Sequence, residues 1–338
     1  MINLRLFLRI IVPKKIRRYV KDTMEYLYRQ FPGEIKVNDR HGLEVTQIYP
    51  KGKNLISILE LATKEKLSAI ELNKKTPIAS IGTCFAEEFA FHMQSIGYNY
   101  IKEEKDKFAA SANWGRVYTV PNLLQIVRYS TEDDFPVVVE ESEKGWFDPL
   151  RETMGTPFFL NKKIAEEAII KHRQASCRAF KKCSILIITV GQNEAWCDSS
   201  TNMIWARNPP ENILETRRGE FSVKEFNFNE NLMELRKVVN ILKDINSEIK
   251  IIFTVSPVAS YATFSDKDVI SNSLVNKCIL RAVVNELIAS ELSNLFFFPS
   301  FEIVLCDNPK NFRADNRHVK YSTVDRIFSL LENSTINN

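Results

Sequence analysis

The 338-residue sequence has no apolar run close to the roughly 20 residues that a helix needs to cross a bilayer. Its six cysteines are scattered and form no CxxC pair, so zinc-finger spacings are absent, and a chain of this length needs no disulfides to hold its core. Internal repeats and low-complexity tracts are also absent. We therefore expect a cytoplasmic chain with reduced thiols, and with neither a metal ion nor a cofactor.

Excess positive charge is lacking everywhere except at the N-terminus. Residues 1–30 contain eight Lys or Arg and two acidic residues, a net charge of +6, whereas the rest of the chain has 38 basic residues against 40 acidic ones. A near-neutral body argues against nucleic-acid binding, which needs a basic face. Residues 1–45 are predicted to form a basic amphipathic arm, broken at Pro13, and residues 46–338 the folded domain. Two interpretations of the arm are open. It docks on a partner protein or peripherally on the inner membrane, or it packs on its own domain.

Short apolar runs rich in β-branched residues alternate with helical patterns along most of the chain. The predicted strands are 77–81, 184–190, 250–255 and 295–298, and the predicted helices are 85–96, 122–129, 162–182, 230–245 and 271–292, before a last helix capped by Ser322. This alternation predicts an α/β fold with a mostly parallel sheet. The stretches near 131–160 and 198–220 interrupt the pattern. They are predicted insertions that either shape a cleft or form plain surface loops.

Cys84 follows the first predicted strand and stands where the first helix begins. The dipole and free amides of a helix N-terminus lower the pKa of a thiol and can hold an oxyanion, and Gly82 permits a sharp turn before it. The simpler interpretation is a small buried apolar side chain beside Phe85 and Ala86. Because ligands bind at the carboxyl ends of parallel strands, Cys84 is also a candidate nucleophile.

Two further strings supply partners for a nucleophile. His318 lies in a polar loop before the last helix, and Asp315 can accept a hydrogen bond from one ring nitrogen and so direct the other, as in a catalytic triad. Asn193, after the most apolar strand, is a natural oxyanion donor, and the Gly115 backbone amide offers another. Alternatively, Gly191 and Asn193 only form a turn.

The order of these strings resembles that of the SGNH (GDSL-like) hydrolase superfamily: strand-Gly-x-Cys, a glycine loop, Gly-x-Asn-Glu and Asp-x-x-His before a C-terminal helix. More closely, the segment 82–86 resembles the signature of the bacterial GSCFA-domain family, and the segments 113–118, 192–196, 254–258 and 298–302 match it too. The resemblance covers residues 76–330. The family's name-giving serine is Thr83 here, which leaves Cys84 at the position of the superfamily's nucleophile. Glu194 replaces the usual aspartate.

The resemblance implies a flavodoxin-like three-layer sandwich and acyl-ester chemistry. We expect an acyl-ester hydrolase or O-acyltransferase that acts on a carbohydrate or polysaccharide through a triad of Cys84, His318 and Asp315. The oxyanion hole is expected at Cys84, Gly115 and Asn193, and the expected substrate contacts are Thr83, Trp114, Glu194 and Trp196. The alternative is a non-catalytic glycan- or protein-binding module of the same shape in surface-polysaccharide assembly.

Overall fold

The structure, a computed structural model, describes residues 43–50, 55–104, 110–151, 158–290, 292–306 and 310–335. The chain divides into two compact units, residues 1–65 and 66–338. In the first unit the structure describes a 3-10 turn at Val45–Gln47 and the start of a helix. The arm predicted over residues 1–45 falls almost wholly outside the described residues and stays a prediction. None of the described helices combines the length and the apolarity that crossing a bilayer requires.

The described helices and strands follow one another in the alternating order that the sequence predicts. The strands are β1 (Ile78–Gly82), β2 (Glu140–Ser142), β3 (Gly145–Phe147), β4 (Ile185–Val190), β5 (Glu194–Asp198), β6 (Met203–Trp205), β7 (Phe221–Glu225), β8 (Lys250–Val255) and β9 (Leu295–Phe297). The helices are α1 (Leu55–Leu67), α2 (Cys84–Ser95), α3 (Val120–Thr131), α4 (Lys162–Lys182), α5 (Glu211–Thr216), α6 (Phe228–Ile245), α7 (Val269–Ala289), α8 (Ser300–Cys306) and α9 (Tyr321–Thr335). Ser322 lies inside α9 and does not cap it, because the first amides of the helix donate to the Lys320 carbonyl.

The main sheet is parallel and has the order β1-β4-β8-β9. On the other side of β1, Tyr100 forms a parallel bridge with Ile78, in the place of one more strand. The chain thus runs outward from β1 in both directions, first to Tyr100 and then to β4. In sheets of this kind the ligand site lies at the carboxyl ends of the strands where this reversal occurs, here between β1 and β4.

Helices cover both faces of this sheet. One face, which includes Ile81, Ile188 and Phe253, packs in one apolar core with helices α3, α4, α6 and α7. On the opposite face, the Ser80 hydroxyl donates to a carbonyl of α2, and the Thr254 hydroxyl bonds the Ser300 hydroxyl of α8. Side chains alternate between faces along a strand, so these neighbours establish a helix–sheet–helix sandwich. The predicted α/β fold with a mostly parallel sheet is confirmed.

Two small antiparallel sheets occupy the stretches that interrupt the pattern. β2 and β3 form a hairpin between α3 and α4, and β5, β6 and β7 form a sheet of order β6-β5-β7 between β4 and α6. β5 starts at Glu194, so the Gly-x-Asn-Glu string joins the main sheet directly to the small one. The predicted insertions near 131–160 and 198–220 contain these strands in part.

Candidate functional site

A cavity of about 640 Å³ opens at the carboxyl ends of β1, β4 and β8. Its wall includes Thr83 and Cys84 after β1, Gly191 and Gln192 after β4, and Ser256 after β8. The cavity therefore lies at the edge where the reversal of strand order predicts a ligand site. Within the described parts of the chain, no group of three or more His, Cys, Asp or Glu side chains is arranged to hold a metal ion.

Cys84 is the first residue of α2 and is half-buried in the cavity wall. Thr83 caps the helix, with its hydroxyl oxygen accepting the Phe85 N–H at 3.2 Å. Gly82, at φ +143°, makes the turn, and a Cβ on it would stand 2.3 Å from the Thr189 carbonyl oxygen. The Thr83 side chain is thus buried and used as a cap, whereas the Cys84 side chain is half-buried in the cavity wall.

The electrostatics around the Cys84 thiol are mixed. Burial raises the pKa of the thiol, while the positive charges of Arg116, Lys277 and Arg317 oppose that rise and the negative charge of Glu87 adds to it. Among the described residues the Cys84 backbone N–H has no acceptor, as is usual in the first turn of a helix, and it can serve an oxyanion.

His318 and Asp315 form the expected pair. Nδ1 of His318 bonds Oδ2 of Asp315 at 2.5 Å, and the other carboxylate oxygen accepts the backbone N–H groups of Arg317 and His318 at 3.1 and 3.0 Å. These bonds, first that from the His318 ring, hold the pKa of Asp315 well below its usual range. Because Nδ1 serves Asp315, Nε2 is the nitrogen left to exchange a proton. His318 lines the same cavity as Cys84.

Lys277, which the sequence analysis does not single out, stands beside Cys84. This α7 residue is 3% exposed, lines the cavity and donates from Nζ to the Gly191 carbonyl oxygen at 2.5 Å. Burial lowers the pKa of its amine to about 7. Gly191 itself lies close to the start of α2, because a Cβ on it would stand 2.4 Å from Cγ2 of Thr83.

The sequence does contain a signal for Lys277. The buried face of α7 changes character along its length: it is polar in the first half and apolar in the second. The polar part is Asn272, Ser273, Asn276 and Lys277, and the apolar part is Leu280, Val283, Val284 and Leu287. A lysine that continues an apolar stripe at helical spacing is expected to face the interior, which is the signal that the sequence gives for Lys277.

Three of the predicted site residues do not face the cavity as expected. Asn193 is 1% exposed, and its Nδ2 donates to the Asn276 carbonyl oxygen at 3.5 Å, so its amide points at α7. Gly115 lines a smaller neighbouring cavity of about 20 Å³. Trp114 is buried in the core, where its ring stacks on that of Phe180. This placement does not support a contact with the substrate.

Glu194 and Trp196, the other two expected substrate contacts besides Thr83, do line the cavity. The Glu194 carboxylate accepts the Thr263 hydroxyl at 2.6 Å and the Phe264 N–H at 2.8 Å, and so holds the loop before α7. The Trp196 ring packs edge-on against Phe264, with ring centroids 5.0 Å apart. Tyr118 and Tyr261 add two more aromatic rings to the wall.

Comparisons with known proteins give one family match and two distant structural similarities. No curated protein matches the chain. Among solved structures, one from Streptococcus pneumonia, described as a platelet activating factor, is 12% identical with a TM-score of 0.37, and the match covers 82% of this chain and 92% of that one. A carbohydrate esterase family 3 structure from Talaromyces cellulolyticus is 8% identical with a TM-score of 0.36, covering 76% and 94%. The profile of the GSCFA family matches residues 77–330, which are three quarters of the sequence and include all of the strands and helices that build the cavity. The chain therefore belongs to the GSCFA family.

Proposed function

We propose that the protein transfers acyl groups from or to a carbohydrate, with Cys84 as the nucleophile, His318 as the base and Asp315 as the group that orients His318. The observation that supports this is the convergence of a helix-N-terminal thiol and an Asp-oriented imidazole on one cavity at the carboxyl edge of the sheet. The aromatic rings in the wall offer stacking surfaces for sugar rings. Their number supports a carbohydrate substrate.

The proposed reaction has two halves. Sγ of Cys84 attacks the ester carbonyl carbon while Nε2 of His318 takes the thiol proton, and the resulting oxyanion meets the Cys84 backbone N–H. The C–O bond of the ester breaks, the proton passes from His318 to the leaving alkoxide, and a thioester remains on Cys84. Water or a sugar hydroxyl then attacks the thioester with His318 again as base. Water gives an esterase, and a sugar hydroxyl gives an O-acyltransferase.

The thioester makes the proposal testable. Wild-type protein incubated with p-nitrophenyl acetate is expected to release p-nitrophenol and to show an acetyl group on the Cys84 peptide by mass spectrometry. Cys84→Ala should abolish both signals. His318→Gln should slow release by about 100-fold or more, since general-base catalysis contributes on that order.

Cys278→Ala is the matched control, because Cys278 is an exposed thiol outside the cavity and its removal should change nothing. If Cys84→Ala turns over esters as fast as the wild type does, the catalytic proposal is wrong. The non-catalytic binding module then becomes the better description. The arm at residues 1–30, proposed to contact a membrane or partner protein, should be dispensable for this turnover.

A further inference from the structure

We propose that the sugar bound in the cavity carries a negatively charged group, a carboxylate or a phosphate, close to the ester that reacts at Cys84. This rests on the proposed function only in placing the substrate in this cavity. Among the described residues that line the cavity, Glu194 alone is acidic, and the basic ones are Arg116, Arg207, Lys277 and Arg317. Residues 31–338 have slightly fewer basic than acidic side chains, so this excess of positive charge is a property of the cavity and not of the whole body.

Neighbouring carboxylates neutralise only part of that charge. Glu87 forms an ion pair with Arg116 at 3.0 Å, and both oxygens of Glu194 are already occupied by the loop before α7. By contrast, the side chains of Lys277 and Arg317 form no ion pair with any carboxylate that the structure describes. Their N–H groups go to the neutral carbonyls of Gly191 and Ala259. Arg317 at any ordinary pH, and Lys277 when its amine is protonated, are cations without acidic partners, and they favour an anion in the cavity.

Arg317 is oriented as an anion receptor. Nε and Nη2 donate to the Ala259 carbonyl oxygen at 3.2 and 3.1 Å, and the guanidinium lies over the Tyr261 ring, 5.2 Å from its centroid. These contacts fix the plane of the group, and a guanidinium has five N–H donors, so further donors remain for a ligand. A planar fork of this kind suits both carboxylate and phosphate, which share the geometry of two oxygens on one atom.

Lys277 and Arg317 lie close enough to Cys84 for their charges to lower the pKa of its thiol, whereas Arg207 lies where the cavity meets a second one. A second cavity of about 350 Å³ shares Trp205, Arg207 and Asn208 with the first, so a sugar chain can extend from one into the other. Its further charged residues are Glu143, Lys144, Arg151 and Glu211, and Arg151 is paired with Asp148 at 2.8 Å. Because charges balance there, the anionic group is expected on the reacting sugar or its immediate neighbour.

The test uses binding, so that it does not depend on turnover. Isothermal titration of the Cys84→Ala protein compares two pairs of probes: tetragalacturonate with maltotetraose, and glucose 6-phosphate with glucose. At about 20 mM salt, an acidic probe is expected to bind at least about tenfold more tightly than its neutral counterpart. The advantage should shrink at about 300 mM salt, because screening weakens charge recognition. The galacturonate and phosphate probes decide whether the anion is a carboxylate or a phosphate. Equal affinity for acidic and neutral probes overturns the inference.

Matched variants locate the recognition. In the same Cys84→Ala background, Arg317→Gln and Arg207→Gln should each weaken the acidic probe several-fold and leave the neutral probe unchanged, whereas Arg218→Gln, an exposed arginine outside the cavity, should change neither. If the two cavity variants weaken both probes equally, the cations do not recognise an anion and the inference fails. A failure of ester turnover in wild-type protein overturns the proposed function separately, because this titration needs no reaction.

Discussion

Two lysines of this protein each donate a hydrogen bond from Nζ to a backbone carbonyl oxygen, one inside the cavity and one outside it. Lys277 donates to the Gly191 carbonyl and Lys243 to the Ser293 carbonyl, both at 2.5 Å, but only Lys277 lines the cavity with Cys84. A positive charge near a thiol stabilises the thiolate, and Lys277 is one of the groups that hold down the pKa of Cys84 against the effect of burial. Lys243 therefore serves as a control for losing a lysine that bonds a carbonyl away from the thiol, although its side chain is only partly buried.

We expect Lys277→Met to raise the pKa of Cys84 and to slow its alkylation by iodoacetamide about five- to tenfold near pH 6.5, where the amine is largely protonated. That factor corresponds to about 1 kcal/mol of lost charge stabilisation. Peptide-resolved mass spectrometry measures the rate at Cys84 apart from the exposed thiols of Cys278 and Cys306. Lys243→Met should leave the rate unchanged. An unchanged rate in Lys277→Met would show that the amine does not act on the thiol.

At the scale of elements, the site depends on how closely the end of β4 approaches the start of α2. Gly191 lets the two meet, since a Cβ there would stand 2.4 Å from Cγ2 of Thr83. Gly191→Ala is expected to destabilise the protein by about 1–3 kcal/mol, the usual cost of overpacking. Thr83→Ser removes that methyl group but retains the capping hydroxyl, so it should restore most of the loss in the double variant. A double-mutant cycle by urea denaturation measures this coupling, and additive losses would place the clash elsewhere.

The elements were more predictable than the side chains of the site. The bounds of α4 and β8 agree with the sequence prediction because long periodic or uniformly apolar runs leave little choice of structure. Cys84 and Gly191 could be placed at the site because the carboxyl ends of parallel strands share an edge. The direction of Asn193 could not, since it is set by β5, which begins at the next residue and turns the Asn193 amide toward α7. The helical spacing of α7 indicates that Lys277 is buried. Its position beside Cys84 depends on how α7 packs against the sheet, which the sequence does not show.

At the scale of the whole molecule, burying Lys277 couples folding to pH. The pKa of its amine falls from 10.5 to about 7 in the folded protein, so below pH 7 the amine is protonated in both states and the full cost of burying the charge is present. Between pH 7 and 10.5 only the unfolded chain binds the proton, so the free energy of unfolding rises with pH, by at most about 1.4 kcal/mol per pH unit.

This coupling predicts that the free energy of unfolding depends on pH differently in the Lys277 protein and in Lys277→Met. In a Cys84→Ala background, which removes the neighbouring thiol, the free energy of unfolding of the Lys277 protein should rise from pH 7 to 9.5 relative to that of Lys277→Met. The methionine variant should have its greatest relative advantage below pH 7, because methionine carries no charge into the interior. Urea denaturation at half-unit steps of pH measures both curves. Parallel curves would mean that the amine keeps its ordinary pKa in the folded protein, and the cavity beside Cys84 would then hold a permanent cation up to pH 10.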